Sequence, residues 1–222
     1  WVSKILITKY HPLVTIIMNV HNGEKFIQEA INSIFRQTYS NWELIIWDNK
    51  SIDKTNLIVQ KFKDKRIKYF KSTNFDTLYA ARNKAISFSQ GELITFLDVD
   101  DLWIENKLMC QVKIMNNKNI DFCYSNYFVF NELGSNSVKK KAFYKNLPSG
   151  RIYKKLLKFY DVGILTLCIR KEVLSKFNIC FDSRFTIIGD MLFVLEISKL
   201  GFCYADQNCL ACYRSHAKNL SK

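Results

Sequence analysis

The sequence predicts an α/β fold: a mainly parallel sheet flanked by helices, followed by a second half of mixed order. Two observations carry this. The first hundred residues alternate short apolar strand patterns with amphipathic helix patterns across short turns. That rhythm closes as right-handed crossovers between parallel strands. The polar residues of this half gather just after the strands, and in open Rossmann-like sheets ligands bind beyond the strands' carboxyl ends.

Each element has its own signal. Residues 14–18 form an apolar, β-branched run that stops in the turn cluster Asn19-Val20-His21-Asn22-Gly23. Residues 24–37 read as a helix with Phe26, Ile27, Ala30, Ile31, Ile34 and Phe35 on one face. Residues 43–47 (Glu-Leu-Ile-Ile-Trp) make a second strand, closed by Asp48-Asn49-Lys50-Ser51, and Asp53 is placed to cap a helix over 54–63. A strand at 67–70, a helix at 78–89 and a strand at 92–97 ending at Asp98 complete the alternation. His21 and Asn22, Asp48 and Asn49, and Asp98 and Asp100 therefore converge on one polar site. Beyond it, helices are predicted at 107–116, 151–160 and 190–199, strands at 122–130, 163–169 and 204–213, and a basic loop or hairpin at 132–148.

Composition narrows the class. The chain is 48% hydrophobic with 2 Pro and 7 Gly, which fits one packed domain over 1–222 and leaves no composition for a long flexible linker. A spanning helix needs about 20 apolar residues, and no run approaches that. Opening on Trp1 without a signal pattern, the sequence reads as a soluble fragment or processed chain. The 7 cysteines are irregularly spaced and mostly sit in apolar segments, as reduced core thiols of a cytoplasmic protein do. Cys209-x-x-Cys212 with His216 lacks the second knuckle of a zinc site, so a cysteine-rich core strand is the better reading. The net charge of +13 is uneven: Lys139, Lys140, Lys141, Lys145, Arg151, Lys154, Lys155 and Lys158 follow one another with no Asp or Glu between them. Such a run faces anionic lipid or a pyrophosphate-bearing acceptor, or it solvates an ordinary surface.

The chemistry concentrates in Phe96-Leu97-Asp98-Val99-Asp100-Asp101. Alternate residues of an extended segment share a face, so Asp98 and Asp100 are expected to point the same way. Close carboxylates repel unless a cation or proton lies between them, and an oxygen-rich site suits Mn2+ or Mg2+, which would also grip a diphosphate. Asp101 is read as a cap for the next helix.

Several motifs in order resemble family-2 glycosyltransferases of the GT-A fold. They are Val14-Thr-Ile-Ile-Met-Asn-Val-His-Asn-Gly23, Ser33-Ile-Phe-Arg-Gln-Thr-Tyr39, Trp42-Glu-Leu-Ile-Ile-Trp-Asp48, Ala81-Arg82-Asn83-Lys-Ala-Ile86 and Gly91-Glu-Leu-Ile-Thr-Phe-Leu-Asp-Val-Asp-Asp101. Phe181-Asp182, Gly189-Asp190 and Tyr213-Arg214-Ser-His216 resemble later landmarks. The resemblance implies a nucleotide-sugar-binding half at about 12–101 and an acceptor-side half at about 102–222. It implies that Asp98 bonds the donor ribose, that Asp100 holds the metal, and that Asp48 and Arg82, with Asn22 and Asn49 beside them, hold the nucleoside. Asp190 would be the catalytic base, and His216 and Arg214 would lie near the metal or diphosphate. For Arg82 and His216, pairing with a surface carboxylate and a solvent-facing loop position stay open as alternatives. Asn19 and His21 stand where the family usually has Pro and Tyr. Asn49 replaces a carboxylate, which weakens a uridine preference, and Gly189 removes the first acid of the family's pair.

The resulting expectation is an inverting, metal-dependent, hexosyltransferase-like enzyme. It would move a sugar from a nucleotide-diphosphate sugar, UDP-sugar first, to a glycan or lipid-linked glycan acceptor in surface polysaccharide or glycolipid assembly. It would work in the cytoplasm, with peripheral contact at the inner face of the cell membrane. The alternative is a non-catalytic nucleotide-sugar or carbohydrate-binding relative. A sugar nucleotidyltransferase would need a Gly-rich phosphate loop that residues 19–24 lack. Nucleic acid is not an expected partner, because only the charge favours it.

Overall fold

The computed structural model describes residues 10–131 and 139–217. Its centre is β1 (Val14–Val20), in which every side chain is buried. The cause is position: β1 pairs in parallel with β2 (Trp42–Asp48) on one side and β4 (Leu93–Phe96) on the other. A strand covered on both edges and both faces reads as a continuous apolar run. Its alternation sorts the core into two layers. Ile16, Met18 and Val20 join Ile27, Ile31 and Ile34 of α1 (Ile27–Phe35), whereas Ile17 joins Tyr79 and Ala85 of α3 (Leu78–Ser87). Each fully buried isoleucine contributes roughly 1.5–3 kcal/mol, so β1 and α1 anchor the first layer. β3 (Ile67–Lys71) extends the sheet beyond β2, and α2 (Thr55–Val59) precedes it.

The second half joins the same sheet. β8 (Cys168–Arg170) runs antiparallel between β4 and β6 (Phe122–Asn131). β6 pairs in parallel with β9 (Cys203–Ser215), and the two-residue β5 (Leu102–Trp103) closes the far edge, giving the order β3-β2-β1-β4-β8-β6-β9-β5. β7 (Lys140–Lys141) pairs antiparallel with β6, as the basic hairpin reading anticipates, while 132–138 lie outside the described residues. Packed against these strands are α4 (Lys107–Met115), α5 (Tyr153–Leu156), α6 (Lys171–Lys176) and α7 (Gly189–Leu200).

Several expectations are corrected. The strand expected at 163–169 is a 3-10 turn at Ile164–Thr166 followed by β8. Both the amide and the hydroxyl of Thr166 donate to the Gly163 carbonyl, at 2.9 and 2.7 Å, which closes the turn before the ladder begins. The helix expected at 54–63 shrinks to α2, and Asp53 accepts the Thr55 amide at 2.9 Å at its start. All seven cysteines are free thiols.

Among the core groups, Lys107 is the least expected. Its ammonium is buried, donating to Thr95 Oγ1 and Gln111 Oε1 at 3.0 and 2.7 Å, 3.9 Å from the Trp103 ring centroid. Burial lowers its pKa to about 7. Above that pH the unfolded chain holds a proton that the folded chain does not, so this lysine's contribution to stability rises with pH. In denaturation of the wild type and Lys107→Met, the wild type should gain on the variant between pH 7 and roughly pH 9. A difference that stays constant across that range would mean that Lys107 keeps its proton.

Candidate functional site

Arg82 organises the site. Carried on α3, it is only 1% exposed, and its guanidinium donates to Asp98 Oδ1 at 2.5 Å and to Asp190 Oδ1. Asp98 follows β4 in the first half, and Asp190 stands in the first turn of α7 in the second. Burial alone would lower the arginine pKa, but Asp190 and Asp98 outweigh it and raise it. The guanidinium donors of Arg82 face these two carboxylates, and its burial leaves little open surface. The pairing is a buried one and not the surface pair that the alternative supposed.

Asp190 is shifted by its surroundings. Burial pushes its pKa up to about 6; the Arg82 charge opposes that and Asp98 adds to it. Desolvation thus outweighs the attraction of the Arg82 charge. Its position is held by Gly189, where a Cβ would meet Tyr79 Cε2 at 2.3 Å, and by the Tyr79 hydroxyl, which donates to the Ile187 carbonyl at 2.8 Å.

The carboxylates after β4 lie in a turn, not an extended segment, because the Asp101 amide donates to the Asp98 carbonyl at 3.1 Å. Asp98 turns to Arg82, while the Asp100 Oδ2 lies 2.9 Å from His216 Nε2. The two carboxylates still interact. Burial and the Asp98 charge raise Asp100, against the opposing hydrogen bond from His216. Asp101 caps no helix. It is buried, burial and its two acidic neighbours raise it well above the usual range, and it accepts the Arg214 amide at 3.0 Å. The Arg214 side chain reaches the Asp100 carbonyl at 2.9 Å and Glu29 at 2.6 Å, between the rings of Phe26 and Phe130. Arg214 therefore ties the acidic turn to α1 and β9, and His216 is no free loop residue.

A third group follows β1 and β2. Asn22, at φ 53°, accepts the Ile52 amide at 2.9 Å, and its own amide donates to Ser51 Oγ at 2.8 Å. His21 Nδ1 lies 2.9 Å from the Asn49 carbonyl, and its Nε2 lies 3.1 Å from Asn22 Nδ2. A carbonyl only accepts, so the proton sits on Nδ1 and Nε2 accepts from Asn22. Asp48 is fully buried and accepts from the Ser51 amide at 2.7 Å and from the Tyr69 hydroxyl. Asn49 grips one peptide with both ends, donating to the Asp76 carbonyl at 2.8 Å and accepting its amide at 2.9 Å.

The structure thus gathers Arg82, Asp98 and Asp190 into one cluster and Asp100, Arg214 and His216 into a second beside it. Asn22, Asp48 and Asn49 shape the adjoining turns. Tyr69, Tyr79 and Tyr160 escaped the sequence reading, since a tyrosine in an apolar pattern reads as core. The Tyr160 hydroxyl is buried and makes no hydrogen bond among the described residues, and burial followed by the Asp190 charge raises it.

A family model described as Glycosyl transferase family 2 matches residues 15–177. The UDP-Glc:alpha-D-GlcNAc-diphosphoundecaprenol beta-1,3-glucosyltransferase WfgD of Escherichia coli is 40% identical over 169 residues, 76% of this chain and 64% of that protein. This chain therefore spans less than two thirds of that relative's length. The crystal structure of S. aureus TarS 1-349 in complex with UDP-GlcNAc matches with a TM-score of 0.79 at 20% identity, covering 93% of this chain and 59% of that one. The mannosyltransferase PcManGT from Pyrobaculum calidifontis, in complex with GDP-Man and Mn2+, matches with a TM-score of 0.73 at 17% identity, over 96% and 59%. On the family model and the fold, this chain belongs to glycosyl transferase family 2 and has the GT-A architecture of a glycosyltransferase.

Proposed function

We propose that the chain transfers a sugar from a UDP-sugar to a hydroxyl of a lipid-linked glycan, with inversion at the transferred carbon, in the assembly of a surface polysaccharide. The observation that carries this is the Asp98–Arg82–Asp190 bridge, which joins the strand-end turns of the first half to an elevated carboxylate of the second. The WfgD name supplies the class of donor and acceptor. The acceptor's diphospholipid and the lysine-rich surface together favour work at the inner face of the cell membrane.

In this reading Asp98 meets the donor ribose, and the turns held by Asn22, Asp48 and Asn49 form the wall against the nucleoside. Asp190 takes the proton of the acceptor hydroxyl as its oxygen attacks the anomeric carbon. The bond from that carbon to the diphosphate oxygen breaks, and UDP leaves. A single displacement inverts the centre. A carboxylate near pKa 6 is ionised at neutral pH and is a stronger base than an ordinary aspartate. Arg82 fixes Oδ1, and among the described residues Asp190 Oδ2 accepts no hydrogen bond.

Asp100 and His216 fit a divalent cation in chemistry, since carboxylate oxygen with imidazole nitrogen suits Mn2+. The crowding of Asp100 by Asp98 is a condition that a cation relieves. Among the described residues no third His, Cys, Asp or Glu converges there, so the donor diphosphate and water would complete the shell. Bound there, the ion would neutralise charge on the departing diphosphate.

Asn49 acts through the loop it clamps. A carboxylate there cannot donate to the Asp76 carbonyl, so Asn49→Asp should lower stability by about 1–3 kcal/mol and weaken UDP binding. The order of preference among uridine, thymidine and cytidine diphosphates should stay unchanged. Calorimetry with the three nucleotides checks this, and a sharpened uridine preference would place residue 49 on the base.

The base is tested by Asp190→Asn. Turnover should fall about 10²–10⁴-fold while UDP binding survives, and wild-type kcat/KM should decline as pH drops through about 6. Asp100→Asn should instead weaken UDP binding in Mn2+ and leave binding in chelator unchanged. Near wild-type turnover in Asp190→Asn would put the base elsewhere.

A further inference from the structure

Two exposed apolar stretches border the Asp190 side of the site. The first runs back along α7 from α5. Tyr153 lies beneath the Lys199 ammonium near the end of α7, 5.6 Å from nitrogen to ring centroid. Tyr160 lies close enough to Asp190, at the start of α7, to feel its charge. Between these anchors Leu157 is 58% exposed and Phe159 81%. The second stretch is Ile187 and Ile188, 65% and 44% exposed, immediately before Gly189-Asp190. The Tyr79 hydroxyl holds the Ile187 carbonyl, so the second stretch leads directly into Asp190, the residue whose charge Tyr160 feels at the end of the first.

Single exposed apolar side chains are ordinary, but two exposed apolar stretches leading to one buried carboxylate are not. Lys154, Lys155 and Lys158 stand exposed among them, and the sequence from Lys139 to Tyr160 has no carboxylate. A second copy of a chain with net charge +13 would bring like charges together on this face. Apolar side chains interleaved with lysines suit the interface of an anionic bilayer, where the side chains enter the acyl boundary and the ammonium groups stay with the phosphates.

We propose that Leu157, Phe159, Ile187 and Ile188, flanked by Lys154, Lys155 and Lys158, form a rim that seats the acceptor side of the site on an anionic membrane. The identification of that side as the acceptor side rests on the base role given to Asp190. A lipid-linked acceptor then presents its hydroxyl to Asp190 without leaving the bilayer.

The test is cosedimentation of the whole chain with phosphatidylcholine vesicles, with and without phosphatidylglycerol. Wild type should bind the anionic vesicles, less so as salt rises. Phe159→Ser with Ile187→Ser should weaken that binding roughly tenfold or more. Charge reversal at Lys154, Lys155 and Lys158 should remove the salt dependence. UDP calorimetry and thermal melting on the same samples establish that each variant is folded. They also separate the two ideas, because lost vesicle binding with intact UDP binding touches the rim and leaves the transferase reading standing. Wild type that ignores anionic vesicles, or a Phe159→Ser and Ile187→Ser variant that binds like wild type, overturns the proposal. So does a dimer in sedimentation velocity that the same two substitutions dissolve.

Discussion

The site depends on one buried cation. A guanidinium removed from water carries a desolvation cost of several kcal/mol unless it is closely paired, and Arg82 is paired twice, with carboxylates from opposite halves of the chain. Until α7 docks, the arginine lacks one partner. Until the turn after β4 closes, it lacks the other. Forming the core and forming the site are therefore one event, and the same electrostatics that makes Arg82 tolerable inside the protein fixes where Asp98 and Asp190 stand.

That coupling also explains what was legible in the sequence. The strand and helix order follows from local periodicity, and β1, α1, α3 and β9 lie close to where their patterns put them. Asp98 and Asp100 stood out as candidates because paired carboxylates just past a buried strand are unusual, whereas Asp190 came forward only through the family resemblance. The burial of Arg82 was not legible. Nothing in Ala81-Arg82-Asn83 distinguishes a surface arginine from one closed over by α7, since the difference lies in a residue far along the chain. The turn at Asp98–Asp101 was misread for a similar reason. Alternation holds only while the ladder continues, and pairing of β1 with β4 stops at Phe96. Short elements such as β5 and α6 are set by their partners, so their own residues carry little signal.

The same logic applies to Arg214 and His216, at and just beyond the end of β9. Arg214 is buried between two rings and joined to Glu29, so its charge stabilises the acidic turn from below the surface. His216 rests on Phe26 with ring centroids 5.2 Å apart while reaching Asp100. Phe26 immediately precedes α1, and so the first helix supports the end of the last strand. This arrangement holds Asp100 and His216 as a pair in fixed relation.

The loss of the first acid before Asp190 has a physical counterpart in Tyr79. Any side chain at position 189 would collide with that ring, and the ring's hydroxyl holds the backbone just before the helix. A second carboxylate there would also add a like charge beside Asp190, whose pKa already stands near 6 with one arginine serving two acids. Like charges disfavour ionisation, so a further acid would push Asp190 toward the protonated form and leave less of it as carboxylate at neutral pH. Glycine with tyrosine instead gives a close-packed helix start and a single carboxylate. Its counterion, Arg82, is shared with Asp98.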